Sequence, residues 1–151
     1  PPLVYGPGAP GNFNRLLKLL FRFRVLPFGS FTAVKSMVSL QNLCDLIAHC
    51  LDADLPKNNV FAVTDNSNWA MKELIELLAR FANIKVYNLR IPLGFLMFFS
   101  AFIGKNQDIE KLANSLYIDD TTLKDLNWSP CQEPLDGLLE AVDYFKKSNE
   151  L

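Results

Sequence analysis

The sequence predicts a mixed α/β fold that is rich in helices and contains a few short, mostly parallel strands. Short apolar runs bounded by Pro, Gly or Asn alternate with longer segments whose apolar residues recur every three or four positions, as buried strands and amphipathic helices do. A strand–helix–strand order over residues 60–89 indicates a crossover unit. The chain has 151 residues, 50% of them hydrophobic, so we expect one domain, residues 1–151, with a substantial core.

The first third of the chain predicts three short strands and two helices. The apolar run at Leu3–Tyr5 predicts a strand, and residues 12–23 predict a helix. Brief strands are expected at 26–29, where a turn follows, and at 35–38. The next helix is predicted to bury one face, formed by Leu40, Leu43, Ile47, Cys50 and Leu51.

The remaining sequence predicts two more strands and several helices. Residues 60–63 predict a strand, and the Asp-Asn-Ser-Asn run at 65–68 offers capping side chains to the helix that follows. Residues 85–89 predict a further strand, and the last helix is expected over 133–147. The helix after residue 68 is predicted to bury a stripe formed by Leu74, Ile75, Leu78 and Phe81. The last helix is predicted to bury a stripe formed by Leu135, Leu138, Leu139, Val142 and Phe145.

The most apolar stretch, residues 91–104, is expected to be a buried helix or one that meets a partner surface. Its 14 residues are fewer than the roughly 20 that cross a bilayer, so no membrane span is predicted; insertion into a membrane is the alternative. Asp119 and Asp120 are expected to open a short helix. This helix should end at the Asn-Trp-Ser-Pro segment at 127–130, because a proline and the residue before it resist helix.

The segment LVYGPGAPGNF carries Gly6, Gly8 and Gly11 in the spacing G-x-G-x-x-G. An apolar run precedes these glycines and a predicted helix follows, which is the context of a dinucleotide-binding turn. However, the two prolines between the glycines have no N–H to offer a phosphate. A dinucleotide-binding turn needs an acidic residue about 20 positions later to hold the ribose, but no acidic residue occurs here before Asp45. The alternative is a strand that ends in a Pro/Gly loop.

The three cysteines, Cys44, Cys50 and Cys131, have no disulfide-framework spacing, which fits a reducing compartment and predicts a cytoplasmic protein. Cys44 and Cys50 are expected on one helix, about 9 Å apart along its axis, too far for a disulfide. With His49 they match no common zinc pattern, so no metal site is predicted. His49 is the only histidine, and no paired nucleophile points to a catalytic triad.

Charge is distributed unevenly along a chain whose net charge is −1. The first 44 residues contain five basic residues and no acidic one. A basic region of this kind favours an anionic partner, either a phosphorylated small molecule or nucleic acid. The alternative is a solvated helix face, because Arg15, Lys18 and Arg22 recur at helical spacing.

Several segments, in order along the chain, resemble the extended short-chain dehydrogenases/reductases, the NAD-dependent epimerase/dehydratase family. P-P-L-V-Y-G-P-G at 1–8 resembles the family's R-P-x-x-V-Y-G-P-G. L-P-F-G followed by K-S-M-V-S-L-Q-N-L-C-D-L-I at 35–47 resembles R-S-x-V-x-V-x-N-L-x-D-x-I. V-F-A-V-T-D with M-K-E-L-I-E-L-L resembles the next strand and helix, and N-S-L-Y-I-D-D with L-K-D-L-N-W-S-P resembles the C-terminal S-L-x-V-D … L-G-W-x-P. The UDP-glucose 4-epimerase-like group is the most similar subset.

The resemblance implies that residues 1–151 are the C-terminal, substrate-binding portion of a larger Rossmann-type enzyme. The glycine segment then follows the sixth strand of the nucleotide-binding domain and borders the sugar-nucleotide cleft; it is not the pyrophosphate loop. The implied function is binding of a UDP-sugar or related nucleotide-sugar for an epimerase, dehydratase or reductase of polysaccharide biosynthesis.

The resemblance also implies site residues. Asn12, followed by Phe13, matches the family's Asn that holds the nucleotide or its phosphate, as an anion at a helix N-terminus would allow; it could instead be only an N-cap. Lys35 stands where the family usually has an Arg on the diphosphate. A Lys supplies a point charge instead of a fork, or is simply solvated. Leu16 is expected to line the nucleotide pocket or to belong to the core.

Pro1 and Pro2 match positions that border the nicotinamide in the family. The cofactor, NAD or NADP, would be bound mainly by a part of the enzyme outside this sequence. Leu3 lies where some 4-epimerases have an Asn that touches the sugar, which weakens a strict 4-epimerase interpretation. Asn127 replaces the family's Gly before Trp128.

The family's catalytic pair, a Tyr with a Lys four residues on, is absent. The four tyrosines are followed at that spacing by Ala9, Ile91, Thr121 and Ser148. We therefore expect this chain to be inactive alone. The alternatives are a non-catalytic binding module and a nucleic-acid-binding domain using Arg-Phe-Arg at 22–24. Strands left at the edge of an incomplete sheet would favour a homodimer or aggregation.

Overall fold

The computed structural model describes residues 2–52, 60–65, 67–92, 94–95, 115–118, 126 and 128–149. Within these residues five strands and four helices are found. Their order is β1 Leu3–Tyr5, α1 Asn12–Arg22, β2 Val25–Leu26, β3 Val34–Ser39, α2 Leu40–Asp52, β4 Asn68–Ala70, α3 Met71–Ala82, β5 Tyr87–Asn88 and α4 Pro134–Ser148.

The strands form two small sheets. In the larger, β3 lies between β1, to which it is parallel, and β4, to which it is antiparallel. Leu3 pairs with Met37 and Tyr5 with Ser39, while Lys35 pairs with Trp69. In the smaller sheet β2 and β5 are parallel. The predicted α/β fold with short, mostly parallel strands is confirmed.

The central strand β3 separates two hydrophobic clusters, because successive residues of a strand point to opposite faces. Met37 belongs to the larger cluster, which α1, α3 and α4 cover, and Leu3 and Trp69 pack against it. Val38 belongs to the smaller cluster, together with Leu46, Val63 and Leu126.

A buried carboxylate, that of Asp65, ties the ends of β1 and β3 together. Its Oδ2 accepts hydrogen bonds from the Tyr5 hydroxyl at 2.7 Å and from the Ser39 N–H at 2.6 Å. Its Oδ1 accepts from Nδ2 of Asn42 at 2.7 Å. Burial first, and then the hydrogen bond and negative charge of Asp65, raise the pKa of Tyr5 far above its ordinary value.

Asn42, which is fully buried on α2, carries this network on to the segment before α4. Its Nδ2 donates to the Gln132 carbonyl at 2.9 Å, and its Oδ1 accepts from the Gln132 N–H at 2.9 Å. Ser39 completes the junction as the cap of α2, because its Oγ accepts the Asn42 N–H at 3.0 Å. Asp65 and Asn42 thus connect β1, β3, α2 and the start of α4.

The prediction of a strand at residues 60–63 is wrong. Those residues join no ladder, and Val60 is 88% exposed. Val63 packs with Val38 of β3 in the smaller cluster, and hydrogen bonds to β3 follow at the end of the segment, where Thr64 Oγ1 and the Asp65 N–H both donate to the Met37 carbonyl. The bonds of Asp65 to neighbouring elements therefore hold the segment in place without strand pairing.

The strand predicted at 26–29 lies earlier, at Val25–Leu26. The residues after β2 form no further strand pairs, but they hydrogen-bond to Asn88 and Leu89 at the end of β5. The Phe28 N–H donates to Oδ1 of Asn88, and the Gly29 N–H donates to the Leu89 carbonyl at 2.9 Å.

The capping role predicted for residues 65–68 is also wrong. Helix α3 begins at Met71, and the residue at its N-cap is Ala70, which has no polar side chain. At that end of the helix the Glu73 carboxylate accepts the Ala70 N–H at 3.3 Å. Asp65 is used in the buried network, and Asn68 lies in β4, where its Oδ1 accepts the Ser36 hydroxyl.

Two predicted helix faces are partly wrong. On α2, Ile47 is 53% and Leu51 82% exposed. The predicted residues Leu43 and Cys50 pack against the smaller cluster, and Leu46 and Asn42, which were not predicted, are buried. On α4, Leu135 and Leu139 are exposed, whereas the predicted residues Leu138, Val142 and Phe145 are buried. On α3, Leu74, Ile75 and Leu78 are buried as predicted.

Some predictions fall outside the described residues. These are most of the apolar stretch at 91–104, the helix start at Asp119 and Asp120, and Asn127. None of the helices in the described part of the chain has the length and apolarity needed to cross a membrane.

Tyr5→Phe should lower the free energy of unfolding by about 1.5–3 kcal/mol, because the substitution removes a buried hydrogen bond to a carboxylate. Urea unfolding measures this. Tyr87→Phe, at a tyrosine that is 64% exposed, is the matched control and should change stability by less than about 0.5 kcal/mol. Equal effects of the two substitutions would contradict the network.

The same variant tests the raised pKa. Folded Tyr5 keeps its proton to higher pH than the unfolded residue, whose pKa is about 10. Its stabilisation is therefore complete below pH 10 and is lost as the pH rises above that value. The stability difference between the native chain and Tyr5→Phe should shrink in unfolding experiments above pH 10; a constant difference would argue against the shift.

Gly29→Ala should destabilise the chain by about 1–3 kcal/mol. A Cβ at Gly29 would lie 2.7 Å from the Asn88 carbonyl oxygen and 2.8 Å from the Leu89 carbonyl, and these backbone atoms yield only if the two segments separate. At Gly94 a Cβ would meet nothing within 4 Å, so thermal unfolding of Gly94→Ala should match the native chain.

Candidate functional site

The glycine loop leaves the C-terminal end of β1 and leads into α1. Gly6, Gly8 and Gly11 all have positive φ, at 145°, 69° and 88°, a backbone region that favours glycine. A Cβ on Gly6 would lie 3.0 Å from Cβ of Leu40, so this glycine also lets the loop approach the start of α2. The G-x-G-x-x-G spacing here is explained by turn geometry and close packing.

This loop does not fit a cofactor pyrophosphate. Pro7 and Pro10 remove two of the amides that such a loop would aim at phosphate. It follows β1 and leads to a helix that packs with the larger cluster.

The N-terminus of α1 has no side-chain cap. Gly11 occupies the N-cap, no side-chain hydrogen bond is made there, and the first turn holds no acidic residue. Asn12 is exposed as the first residue of the helix, so it is not the N-cap that the alternative interpretation required. An uncapped helix N-terminus with an exposed amide suits an anion.

Phe13 and Leu16 lie behind this helix end, in the larger hydrophobic cluster, with exposed fractions of 1% and 7%. The Phe13 ring is 5.9 Å from that of Tyr5. Pro2 is buried, whereas Pro1 lies outside the described residues. In this structure Phe13 and Leu16 shape the helix from beneath, and their predicted contact with a nucleotide stays a prediction.

Lys35 lies near the start of β3 and is half-buried. Burial lowers its pKa. It forms a bridge with Leu116 on one side and pairs with Trp69 on the other. Ser39, which pairs with Tyr5, follows four residues later, about 13 Å along a strand. Lys35 and the start of α1 therefore lie at opposite ends of the paired strands β1 and β3.

Two buried polar groups in and next to β4 were missed by sequence reasoning. The indole N–H of Trp69 and the hydroxyl of Ser67 are buried and have no hydrogen-bond partner among the described residues. The antiparallel register of β3 and β4 places Trp69 opposite Lys35, and its continuation places Ser67 opposite Met37. No local sequence signal indicates that register.

Catalytic and metal chemistry finds little support in the described residues. Tyr5 is fully buried, and its raised pKa is the opposite of what a tyrosine base needs. Nε2 of His49 is bonded to the Leu126 carbonyl at 2.9 Å. In the described ranges no group of three or more His, Cys, Asp or Glu side chains could hold a metal ion.

An open groove of about 740 Å³ lies elsewhere, between α1 and the end of α4. Its lining includes Arg15, Lys18, Phe23 and Phe145, but none of the residues predicted to bind substrate. The basic face of α1 therefore borders a surface distinct from the Lys35 region.

Comparisons with known proteins give relatives in sequence and in structure, although no family model matches. The chain is 34% identical to a UDP-glucose 4-epimerase of Vibrio cholerae over 151 residues, which are 99% of this chain and 46% of that protein. It thus spans about half the length of this curated relative.

Solved structures share the fold. The UDP-glucose 4-epimerase of Thermotoga maritima, solved with UDP-glucose, has a TM-score of 0.67 at 20% identity, covering 98% of this chain and 45% of that chain. The UDP-glucuronic acid 4-epimerase of Bacillus cereus, solved with NAD, has a TM-score of 0.70 at 16% identity, covering 96% and 42%. Over nearly its whole length the chain is thus similar in sequence to a UDP-glucose 4-epimerase, and it shares the fold of these solved 4-epimerases.

Proposed function

We propose that this chain is the C-terminal, nucleotide-sugar-binding portion of an NAD(P)-dependent epimerase, dehydratase or reductase, acting on a UDP-sugar or a related nucleotide-sugar. One observation carries the proposal: the sequence match to a UDP-glucose 4-epimerase extends over 99% of the chain. It agrees with the order of the family-like segments along the sequence.

The geometry supports binding of an elongated anion. The uncapped N-terminus of α1, with the exposed Asn12, offers N–H groups and the positive end of a helix dipole. Lys35 offers a cation further along the sheet, on a half-buried strand. A nucleotide-sugar extended over this surface would place its diphosphate at one of these two features, with Phe13 and Leu16 supporting α1 from beneath.

The cofactor is proposed to be NAD or NADP, as in relatives solved with NAD and with NADPH. Pro1 and Pro2 would border its nicotinamide, and most of its contacts would come from outside this sequence. A bound nicotinamide would accept or donate the hydride. The present residues lack the Tyr-x-x-x-Lys pair, so we propose that the chain is inactive alone and contributes substrate binding.

A role in polysaccharide biosynthesis, a cytoplasmic location and homodimer formation belong to the same proposal. The sheet edge of β1 that faces away from β3 has no partner among the described strands, which is what supports pairing with a second copy. Residues 60–63, in contrast, form no strand and no longer support it. The second candidate is a non-catalytic nucleotide-sugar-binding module, which the absent catalytic pair favours.

Calorimetric titration with UDP and UDP-glucose tests the binding role. The native chain should bind both, and Lys35→Ala should weaken binding by about tenfold or more, because it removes a charged contact to phosphate. Lys18→Ala, at an exposed lysine outside the predicted site, is the control and should leave affinity nearly unchanged. A folded chain that binds neither ligand would refute the proposed binding role for this chain on its own.

The lowered pKa of Lys35 makes UDP binding sensitive to alkaline pH. As the pH rises through that lowered pKa, the ammonium loses its proton and the affinity should fall, beginning below the ordinary lysine value of about 10.4. Lys35→Arg should retain its affinity across this range, since arginine stays protonated. Lys18→Arg is the matched control. Calorimetric titrations with UDP between about pH 7.5 and 10.5 compare the affinities of the two variants. If the affinity of both variants changes with pH in the same way, Lys35 does not belong to the site.

A further inference from the structure

The small sheet formed by β2 and β5 presents an apolar face to solvent. Val25 and Tyr87 are register partners in this parallel pair, so their side chains lie side by side on one face. Val25 is 51% and Tyr87 64% exposed. The next residue of β2, Leu26, points to the opposite face and is buried in the larger hydrophobic cluster. The sheet therefore packs through one side only.

Phe23 and Leu89 extend the exposed side in both directions. Phe23 lies two residues before Val25 and has an extended backbone, with φ −121° and ψ 131°. Leu89 lies two residues after Tyr87, and its N–H continues the strand pairing by donating to the Leu26 carbonyl at 2.8 Å. Alternate residues of an extended chain share a face, and both side chains are about half exposed. The outer face of this sheet thus consists of four large apolar side chains, those of Phe23, Val25, Tyr87 and Leu89.

The groove between α1 and the end of α4 continues the outer face. Phe23 belongs to both, and Leu19, Phe21 and Phe145 line the groove beside it. The rings of Phe21 and Phe145 stack with their centroids 5.1 Å apart. Face and groove therefore form one continuous apolar surface, and exposed apolar patches of this kind mark interaction sites.

The chain segments that form the outer face carry only positive charge. Residues 1–44 and 77–107 contain no Asp or Glu, and α1, β2 and β5 all lie within these two ranges. Exposed basic residues adjoin the apolar residues of the outer face along the chain, namely Arg22, Arg24, Lys85 and Arg90. A complementary partner must therefore offer anionic groups together with an apolar layer.

This combination favours a membrane surface over other partners. A second copy of the chain would bring the same cations together, because a two-fold interface pairs a patch with itself. A nucleic acid single strand would stack its bases on aromatic rings, which leaves the aliphatic Val25 and Leu89 without a role. A bilayer with acidic lipids offers headgroup phosphates to the cations and an acyl boundary to the apolar side chains.

We propose that the outer face and the adjoining groove bind the surface of an anionic lipid bilayer. Phe23, Val25 and Leu89 enter the boundary between headgroups and acyl chains, and Tyr87 lies at the level of the headgroups, where tyrosine is enriched. The neighbouring cations contact the lipid phosphates. This inference does not depend on the nucleotide-sugar role, because the outer face shares no residue with the predicted substrate site.

Co-sedimentation of the full chain with sucrose-loaded vesicles tests the proposal. Vesicles made of equal parts of phosphatidylglycerol and phosphatidylcholine should bind the chain. Vesicles of phosphatidylcholine alone should bind it at least about tenfold more weakly, because their surface has no negative potential to attract several cations at once.

Variants then separate the apolar from the charged contribution. Leu89→Ser and Phe23→Ser should each weaken binding to the anionic vesicles by about fivefold or more, because a large apolar side chain no longer enters the acyl boundary. Arg24→Gln and Lys85→Gln should each weaken this binding by about fivefold, the share of one cation near an anionic surface.

Two matched controls lie away from the outer face. Leu51→Ser changes a leucine on α2 that is 82% exposed, and α2 packs with the smaller cluster on the other side of β3. Lys72→Gln changes an exposed lysine at the start of α3. Both variants should bind vesicles as the native chain does. Circular dichroism checks the fold of each variant, and Phe23→Ser decides if Leu89→Ser does not fold.

The other outcomes each overturn the proposal. A folded native chain that does not sediment with anionic vesicles has no membrane-binding surface. Equal binding to both kinds of vesicle would leave the cations without a role, and binding that both serine variants of the outer face leave unchanged would be charge attraction alone. Binding of oligothymidylate that Phe23→Ser weakens, without any response to vesicles, would assign the surface to nucleic acid instead.

Discussion

The buried carboxylate of Asp65 holds the fold together at the point where its elements meet. Donors reach it from β1, through the Tyr5 hydroxyl, from the end of β3, through the Ser39 N–H, and from α2, through Asn42. Each of these groups would be costly to bury alone, and together they satisfy one another. Because Asn42 also bonds to Gln132, the same network fixes where the segment leading to α4 crosses the strand ends.

This arrangement also explains how the candidate site is positioned. The glycine loop turns away from β1 directly after Tyr5, and its approach to Leu40 is possible only without a side chain at Gly6. The loop then delivers α1 with its N-terminus uncapped. The parallel pairing of β1 with β3 places Lys35 at the other end of the strands. A structural network thus sets the distance between the two features that we propose to bind an anion.

Much of the architecture could be predicted from sequence, because hydrophobic periodicity reports local packing. The strand Leu3–Tyr5 and the helices α1, α2, α3 and α4 follow from it. The failures occur where non-local polar contacts decide the structure. Residues 60–63 have the composition of a strand, but the bonds made by Asp65 hold that segment differently. On α2 the position that packs inward is partly occupied by Asn42, whose partner Gln132 is 90 residues away, beyond the reach of any periodicity.

The candidate site divides in the same way. Asn12 and Lys35 were identified by resemblance to a family, whereas the pairing of Lys35 with Trp69 follows only from the register of β4. That pairing bears on the substitution of Lys for the family's Arg. An arginine fork presents two parallel N–H groups to a phosphate, while a lysine presents a point charge and fixes no direction. Lys35 is half-buried between its pair Trp69 on β4 and its bridge to Leu116, so the neighbouring strands, and not a fork of its own, restrict the positions that its ammonium can reach.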